Sequence, residues 1–535
     1  MTVPIRAKRR SAVAAFVHDR ESDIRDRFAR LRWSTSLIVV IGATTLVSRL
    51  PGLVFSGMFD RDESYLSVMG DSLRNGGEMY VTFIDRKPPI VPYLYAASRA
   101  VGVDMRLVRL LCALAIFANG IVIALLVRKL TSRRSVALAA GVLSVAGTAL
   151  FLPVDAQAAN FELWGLLPAS AAVLFLVMSR GRRGTAWIWF ALAGAGMMMA
   201  TNCKQPYIVI ALPILWEVFR QKSDRLRNLA AVCIGSLVAL VPLALVVDLG
   251  LMWRWAWTDN GDYLDGGISL VRALGVGVGL TIVFVAFHLP LFYGVWAGIT
   301  RRVRLDSTMV VWALASVLAI PIGFRFFGHY YQQMVPPLAV LTGIALAGAT
   351  RRSWRLVMGA TACLVVALVG LAFIHRPDLS NFTALGRHVQ ATTSPDDRIL
   401  VWGALPDVYV SAERPTAGVF LHDGYLTGNW ASRSSALGAA VVATEPYATR
   451  WRVFLEDLRT DPPMLIIDAA RPGTDWSGYP PGSYPLGGLM TRCYRFDAQI
   501  DGLPIWRLDT RACPNGLGGA IAASDDRENA AVDDQ

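Results

Sequence analysis

The sequence predicts an α-helical multi-pass membrane protein of about eleven spans, followed by a small C-terminal extracytoplasmic α/β domain. Three observations carry this. The 535-residue chain is 54% hydrophobic and 17% charged, with a mean hydropathy of +0.43, too apolar for a soluble protein of this length. Apolar runs of about 17–25 residues, each long enough to cross a hydrocarbon core, recur up to residue 375. Beyond that point the pattern changes to short helix and strand signatures.

Residues 1–33 read as a polar, basic cytoplasmic segment with no cleavable signal peptide, since the first apolar run is long enough to stay as an anchor. The expected spans are 34–56, 107–127, 135–153, 160–178, 186–202, 206–219, 229–249, 273–298, 308–324, 331–349 and 356–374. The 186–202 and 206–219 pair reads either as two helices or as one segment interrupted at Asn202-Cys203-Lys204-Gln205-Pro206. Half of the 52 lysines and arginines fall in 1–33, 128–134, 179–185, 220–228, 299–306 and 350–355, which are alternate loops. This is a positive-inside bias. It makes the net charge of +12 a topology signal rather than a nucleic-acid footprint. The N-terminus is therefore expected in the cytoplasm of a plasma-membrane (inner-membrane) protein, with the loop 57–105 and the domain 376–513 outside.

Within the loop 57–105, Tyr65, Leu66, Val68, Met69 and Leu73 give a mildly amphipathic surface helix, and 88–100 a second one. In the external domain, 398–402 and 464–468 are buried-strand patterns, while 379–392 and 447–459 carry helical spacing. Helix, strand, helix, strand reads as a parallel α/β unit, closed by a hairpin near 491–497 and 504–510. Residues 514–535 show no pattern and read as a disordered tail. Cys112, Cys233 and Cys363 lie inside expected spans as small apolar packers. Cys493 and Cys513 flank the hairpin, where an oxidising compartment permits a disulfide.

Charged residues collect on the outer side. Asp60-Arg61-Asp62-Glu63 opens the first loop, and Asp62 and Glu63 can serve as proton acceptors in a partly dry cleft, hold a cation, or simply cap a helix. Asp85-Arg86-Lys87-Pro88-Pro89 follows; Lys87 can grip a phosphate or snorkel to headgroups. Glu162, with Asp155 nearby, starts a span and is either functional or a dipole-favoured helix start. Lys204-Gln205-Pro206 lies on the same side. So does Arg325-Phe326-Phe327-Gly328-His329-Tyr330-Tyr331, where Arg325 and His329 share one helical face and the aromatics suit an interface belt. Trp253, Trp255 and Trp257, near Asp259, Asp262 and Asp265, read as an interface anchor or a sugar-stacking surface.

The order of these motifs resembles the GT-C integral-membrane glycosyltransferases, in particular the bacterial protein-mannosyltransferase-like group that includes the aminoarabinose lipid A transferases. The resemblance covers roughly 34–375 and is carried by 83–89 and 325–331. It implies a GT-C-like fold, a polyprenyl-phosphate-linked sugar donor and inverting transfer to a hydroxyl of a glycan, glycolipid or protein acceptor. It also implies roles: Asp62 as general base beside Glu63, Glu162 as the second acidic residue, and Lys87, Lys204, Arg325 and His329 around the donor phosphate. Asp85, Tyr330 and Tyr331 would line the substrate. Glu162 replaces the Asp of some members, which puts its role in doubt. No cofactor is assigned, and a divalent metal is left open. The alternative from another class is a lipid or sugar transporter, but transporters carry repeat symmetry and mid-membrane charges that this chain does not display.

Overall fold

A computed structural model describes residues 33–102, 104–182, 184–221, 224–260, 269–374, 382–430, 439–470, 476–514 and 517. The basic N-terminal segment, the tail beyond 517, and Asp262 and Asp265 lie outside the described residues.

Among these residues, six helices are long and apolar enough to cross a membrane. They are α1 (Trp33–Val54), α4 (Met105–Thr131), α7 (Phe161–Ser179), α10 (Arg225–Ala244), α12 (Leu270–Phe287) and α16 (Arg351–Ile374). The expected eleven spans are thus corrected. Hydropathy runs continue through points where the backbone breaks. The 135–153 run stops as a helix at Gly147, giving the shorter α5 (Arg134–Gly147) and the short α6 (Pro153–Gln157). The 273–298 run divides at His288, leaving α13 (Leu289–Thr300), because Pro290 restarts the helix. The 186–219 region becomes α8 (Ala186–Cys203), a 3₁₀ turn over Gln205–Ile210 and α9 (Ala211–Arg220). Likewise 331–349 begins as a 3₁₀ turn (Gly328–Met334) before α15 (Val335–Leu346), while α14 (Ser307–Ala319) is short throughout.

The bundle is closely packed. Gly194 on α8 faces the backbone of Val232 on α10, and Gly235 on α10 faces Ala191, so no side chain holds these two helices apart. At the end of the bundle bearing the basic loops, Arg180 bonds Glu217 at 2.9 Å and Asp306 at 2.7 Å, joining three helix ends.

Helices form over both expected stretches of the first loop, as α2 (Arg61–Arg74) and α3 (Ile90–Val101), but α2 is buried from Glu63 to Gly70 rather than lying at a surface. Asp60 caps α2 by accepting from the Asp62 amide at 3.1 Å, and Asp62 and Glu63 occupy the first turn, where carboxylates favour the helix dipole. Between α2 and α3, the Tyr80 hydroxyl donates to the Lys87 carbonyl at 2.8 Å.

The small C-terminal domain carries a four-stranded sheet of order β1-β2-β4-β3. Strands β1 (Ile399–Trp402) and β2 (Leu465–Asp468) pair in parallel, and β3 (Tyr494–Ile500) and β4 (Leu503–Leu508) add an antiparallel hairpin. Helices α17 (Thr383–Thr392), α18 (Asp407–Ala412), α19 (Gly424–Thr427), α20 (Tyr447–Thr460) and α21 (Pro485–Cys493) surround it. Cys493 and Cys513 are disulfide-bonded across the hairpin. The domain rests on the first loop. The Ile84 amide donates to the Val419 carbonyl at 2.7 Å, and the Ser64 hydroxyl to Asp407 at 2.6 Å.

Candidate active site

The cluster is built from six chain segments. The start of α2 brings Asp60 and Asp62, the loop before α3 brings Lys87, and α6 brings Asp155. The start of α7 brings Asn160 and Glu162, the end of α8 brings Lys204, and the Gly328–Met334 turn brings His329. Lys87 Nζ lies 3.0 Å from Asp62 Oδ2 and 4.2 Å from the Phe161 ring centre. Lys204 pairs with Glu162 and sits 4.0 Å over the ring of Tyr330. His329 Nδ1 lies 3.2 Å from Asp155 and 3.7 Å from Asp60, while Nε2 is 3.8 Å from Glu162. Asn160 donates to Asp60 at 3.1 Å. Asp62, Lys87, Glu162, Lys204, His329 and Tyr330 are thereby gathered from 269 positions of sequence, Asp62 to Tyr330, into one group in which Glu162, Lys204 and His329 are buried and the other three half-buried.

Gly328 makes this approach possible. A Cβ there would collide with the Asp155 carboxylate and the Phe151 ring, and the same carboxylate accepts the His329 amide at 2.9 Å.

The electrostatics differ between the two aspartates of α2. Burial works against the charge on Asp62, but Lys87, His329 and Lys204 outweigh it and hold the carboxyl well below the usual range. At Asp60, burial followed by the charge of Asp62 pushes the pKa up to about 6, against the pull of His329 and of the Asn160 hydrogen bond. Burial opposes a charge on His329, yet Glu162 and the hydrogen bond to Asp155 raise it to about 9.

Asp60, Asp155 and His329 each offer a ligand atom, all within 4.8 Å of one another. Two carboxylates and an imidazole suit a divalent cation of the magnesium, manganese or zinc type. The short approach of Nδ1 to both carboxylates shows that the three donors converge on one point.

Other expected residues sit elsewhere. Glu63 is fully buried behind the helix. Its oxygens accept Arg109 Nε at 2.9 Å, Arg109 Nη2 at 2.6 Å, and the amides of Phe59 and Ala159 at 2.8 Å each. Asp85 caps its own loop, accepting from the Lys87 amide at 2.7 Å. Tyr331 turns into the bundle, its hydroxyl 2.8 Å from that of Thr281 and its ring stacked on Phe151. Arg325 is fully buried, within electrostatic reach of His422 in the C-terminal domain. Trp253 on α11 (Leu249–Ala256) is exposed and stacks on Trp257 at 5.9 Å.

In the sequence Asp60 has no assigned role, Asp155 figures only as a neighbour of Glu162, and nothing singles out Asn160. The Asp-x-x-Glu spacing of Asp60 and Glu63 is a helix-start signature that separates a capping residue from the Asp62 between them. No local signal points to His422.

Comparison with known proteins follows the same lines. Residues 86–248 match the family model described as dolichyl-phosphate-mannose-protein mannosyltransferase. This segment holds Lys87, Asp155, Glu162 and Lys204. No curated protein sequence matches the chain. The structure is similar to ArnT from Cupriavidus metallidurans bound to undecaprenyl phosphate, with a TM-score of 0.59 at 16% identity, covering 88% of this chain and 98% of that one. The apo state of the same protein gives 0.55 at 15% identity, covering 90% and 99%. The archaeal oligosaccharyltransferase AglB from Archaeoglobus fulgidus, in complex with an inhibitory peptide and a dolichol-phosphate, gives 0.54 at 11% identity, covering 90% and 75%. The chain is a multi-pass membrane protein with the fold of the GT-C glycosyltransferases. Within that class, residues 86–248 are similar to the protein-mannosyltransferase family model, and the fold is similar to that of ArnT.

Proposed function

We propose that the protein is a membrane glycosyltransferase that moves a sugar from a polyprenyl-phosphate donor to an acceptor hydroxyl, with inversion and with Asp62 as general base. One observation carries the reading: Asp62 lies beside Lys87 in a half-buried cluster that also holds the buried Lys204 and His329. A carboxylate beside cations that can grip a phosphate is what a single displacement requires. Two of the similar structures contain undecaprenyl phosphate and dolichol-phosphate, which supports a lipid phosphate as the donor's carrier.

In this mechanism the acceptor oxygen attacks the anomeric carbon. Its proton passes to Asp62, the bond from that carbon to the phosphate oxygen breaks, and the electron pair leaves with the phosphate. Lys87 holds Asp62 ionised beforehand. A donor phosphate competes for Lys87, and the loosened carboxylate becomes the stronger base. Lys204 stabilises the departing charge, with Glu162 and the Tyr330 ring fixing its position. Asp60, Asp155 and His329 would hold a divalent cation, which when bound supplies positive charge near the leaving phosphate. Glu63 serves as the pin that fixes α2 to the bundle. The acceptor faces outward if the basic loops are cytoplasmic, as the charge bias implies.

Asp62→Asn is expected to lower transfer by 10²-fold or more, in the range set by loss of a general base, with the protein still folded and inserted. Transfer at the wild-type rate in a membrane assay with a polyprenyl-phosphate sugar would overturn the assignment.

A further inference from the structure

We propose that His422 of the C-terminal domain donates a hydrogen bond from Nε2 to the phosphate of the lipid-linked donor, so that this domain supplies part of the binding site. The inference rests on the donor assigned above and adds a residue that lies far from the segment matched by the family model.

His422 sits in the turn before α19, where the domain meets the first loop. Its ring stacks on Tyr65 of α2 at 5.6 Å and on Trp430 at 5.4 Å. Tyr65 lies on α2, the helix that carries Asp62 in its first turn. Trp430 in turn carries the Arg86 guanidinium 5.2 Å over its ring, and Arg86 precedes Lys87. The imidazole is therefore held between the base-bearing helix and the phosphate-gripping loop.

Its tautomer follows from one hydrogen bond. Nδ1 accepts the Gly424 amide at 2.9 Å, so in the neutral ring the proton is on Nε2. Burial among the rings, followed by Arg86 and Lys87, lowers the pKa to about 3 and keeps the ring neutral. Among the described residues Nε2–H has no hydrogen-bond partner, and the side chain is only half-buried. A donor without a partner among the described residues, within electrostatic reach of Arg86, Lys87 and Arg325 as well as of Asp62, matches a phosphate oxygen. It adds a directed contact without a further charge to repel the cations.

A stacking role and a donor role make opposite predictions for two substitutions. His422→Phe keeps the stack and loses the donor. His422→Gln loses the stack but places an amide N–H near the position of Nε2. The full-length protein in nanodiscs is titrated with polyprenyl phosphate and, separately, with the uncharged polyprenol; Lys87→Met is the reference. Wild type is expected to prefer the phosphate and Lys87→Met to lose that preference. His422→Phe should bind the phosphate about tenfold more weakly, as expected for a lost hydrogen bond to a charged group, with polyprenol binding unchanged. His422→Gln should remain within about threefold of wild type. His422→Asn, too short to reach, should behave as His422→Phe and provides a second variant if the first is unstable. Wild-type binding by both the Phe and Asn variants overturns the inference but leaves the donor reading intact. Wild-type binding by the Phe variant with loss in the Asn and Gln variants overturns it in favour of ring packing, and equal loss in all three overturns it as well. A wild-type protein with no preference for phosphate over alcohol overturns both readings.

Discussion

Lys87 Nζ lies 3.0 Å from Asp62 Oδ2, joining the loop before α3 to the first turn of α2. Under the proposed function, removing that lysine acts on both donor and base. Lys87→Met is expected to raise KM for the donor by about tenfold or more, as loss of a charge-assisted contact does. It should also move the acid limb of the pH–rate profile upward. Asp62 is held low by the cations around it, and a base must be ionised to act, so losing Lys87 lets protonation begin at higher pH. A pH series of kcat/KM checks both effects.

Glu63 is expected to matter for stability rather than turnover chemistry. Glu63→Gln leaves the Arg109 guanidinium buried without its counter-charge, at a cost of about 3–5 kcal/mol. The double substitution Glu63→Gln with Arg109→Met should recover part of that loss, since no charge then stays buried. Thermal unfolding midpoints in detergent measure this. A Glu63→Gln protein that is stable but inactive would instead make Glu63 part of the chemistry.

The group of Asp60, Asp155 and His329 predicts competition between a metal and a proton. With no cation bound, the raised His329 contributes stability that is complete below pH 6.5 and is lost as pH rises through about 9. Bound Mn²⁺ must displace that proton. Its affinity, measured by titration calorimetry, should therefore increase as pH approaches about 9. Asp155→Ala should abolish binding.

Asp423 predicts a pH dependence in the C-terminal domain. Its carboxylate accepts the amides of Gly403 and Ala404, yet burial pushes its pKa from 3.8 up to about 7. The native state thus holds a proton that the unfolded chain releases. Its contribution is complete below pH 3.8 and is lost as pH rises through about 7, a difference of up to about 4 kcal/mol. Limited proteolysis of the domain should be slower at pH 5 than at pH 8, and Asp423→Asn should remove the difference.

The sequence made the charged motifs legible but not how they divide. Asp62 and Glu63 look equivalent in the chain. On a helix of 3.6 residues per turn, neighbours point about 100° apart, so one faces the cluster and the other Arg109. Lys87, Glu162, Lys204 and His329 were legible because their motifs all fall in loops expected on one side of the membrane. Asp155 and Asp60 acquire their roles from a tertiary contact with His329, which no spacing encodes. Tyr331 was misplaced for the same reason as the spans: the Gly328–Met334 segment is a 3₁₀ turn, so Tyr330 and Tyr331 diverge between the cluster and the bundle. The strands of the C-terminal domain were readable from short apolar runs, whereas its seating on the first loop depends on the particular pairing of Ile84 with Val419.

The first loop is tied at two levels, to the bundle through Glu63 and Arg109 and to the C-terminal domain through Ser64, Ile84 and their partners. A segment fastened on both sides has little freedom left to lose when substrate arrives. Under the proposed function, the entropy of ordering the base is incurred when the chain folds, and each turnover begins with the carboxylate already in position. The part left to move would then be the substrate, which makes product release a candidate slow event.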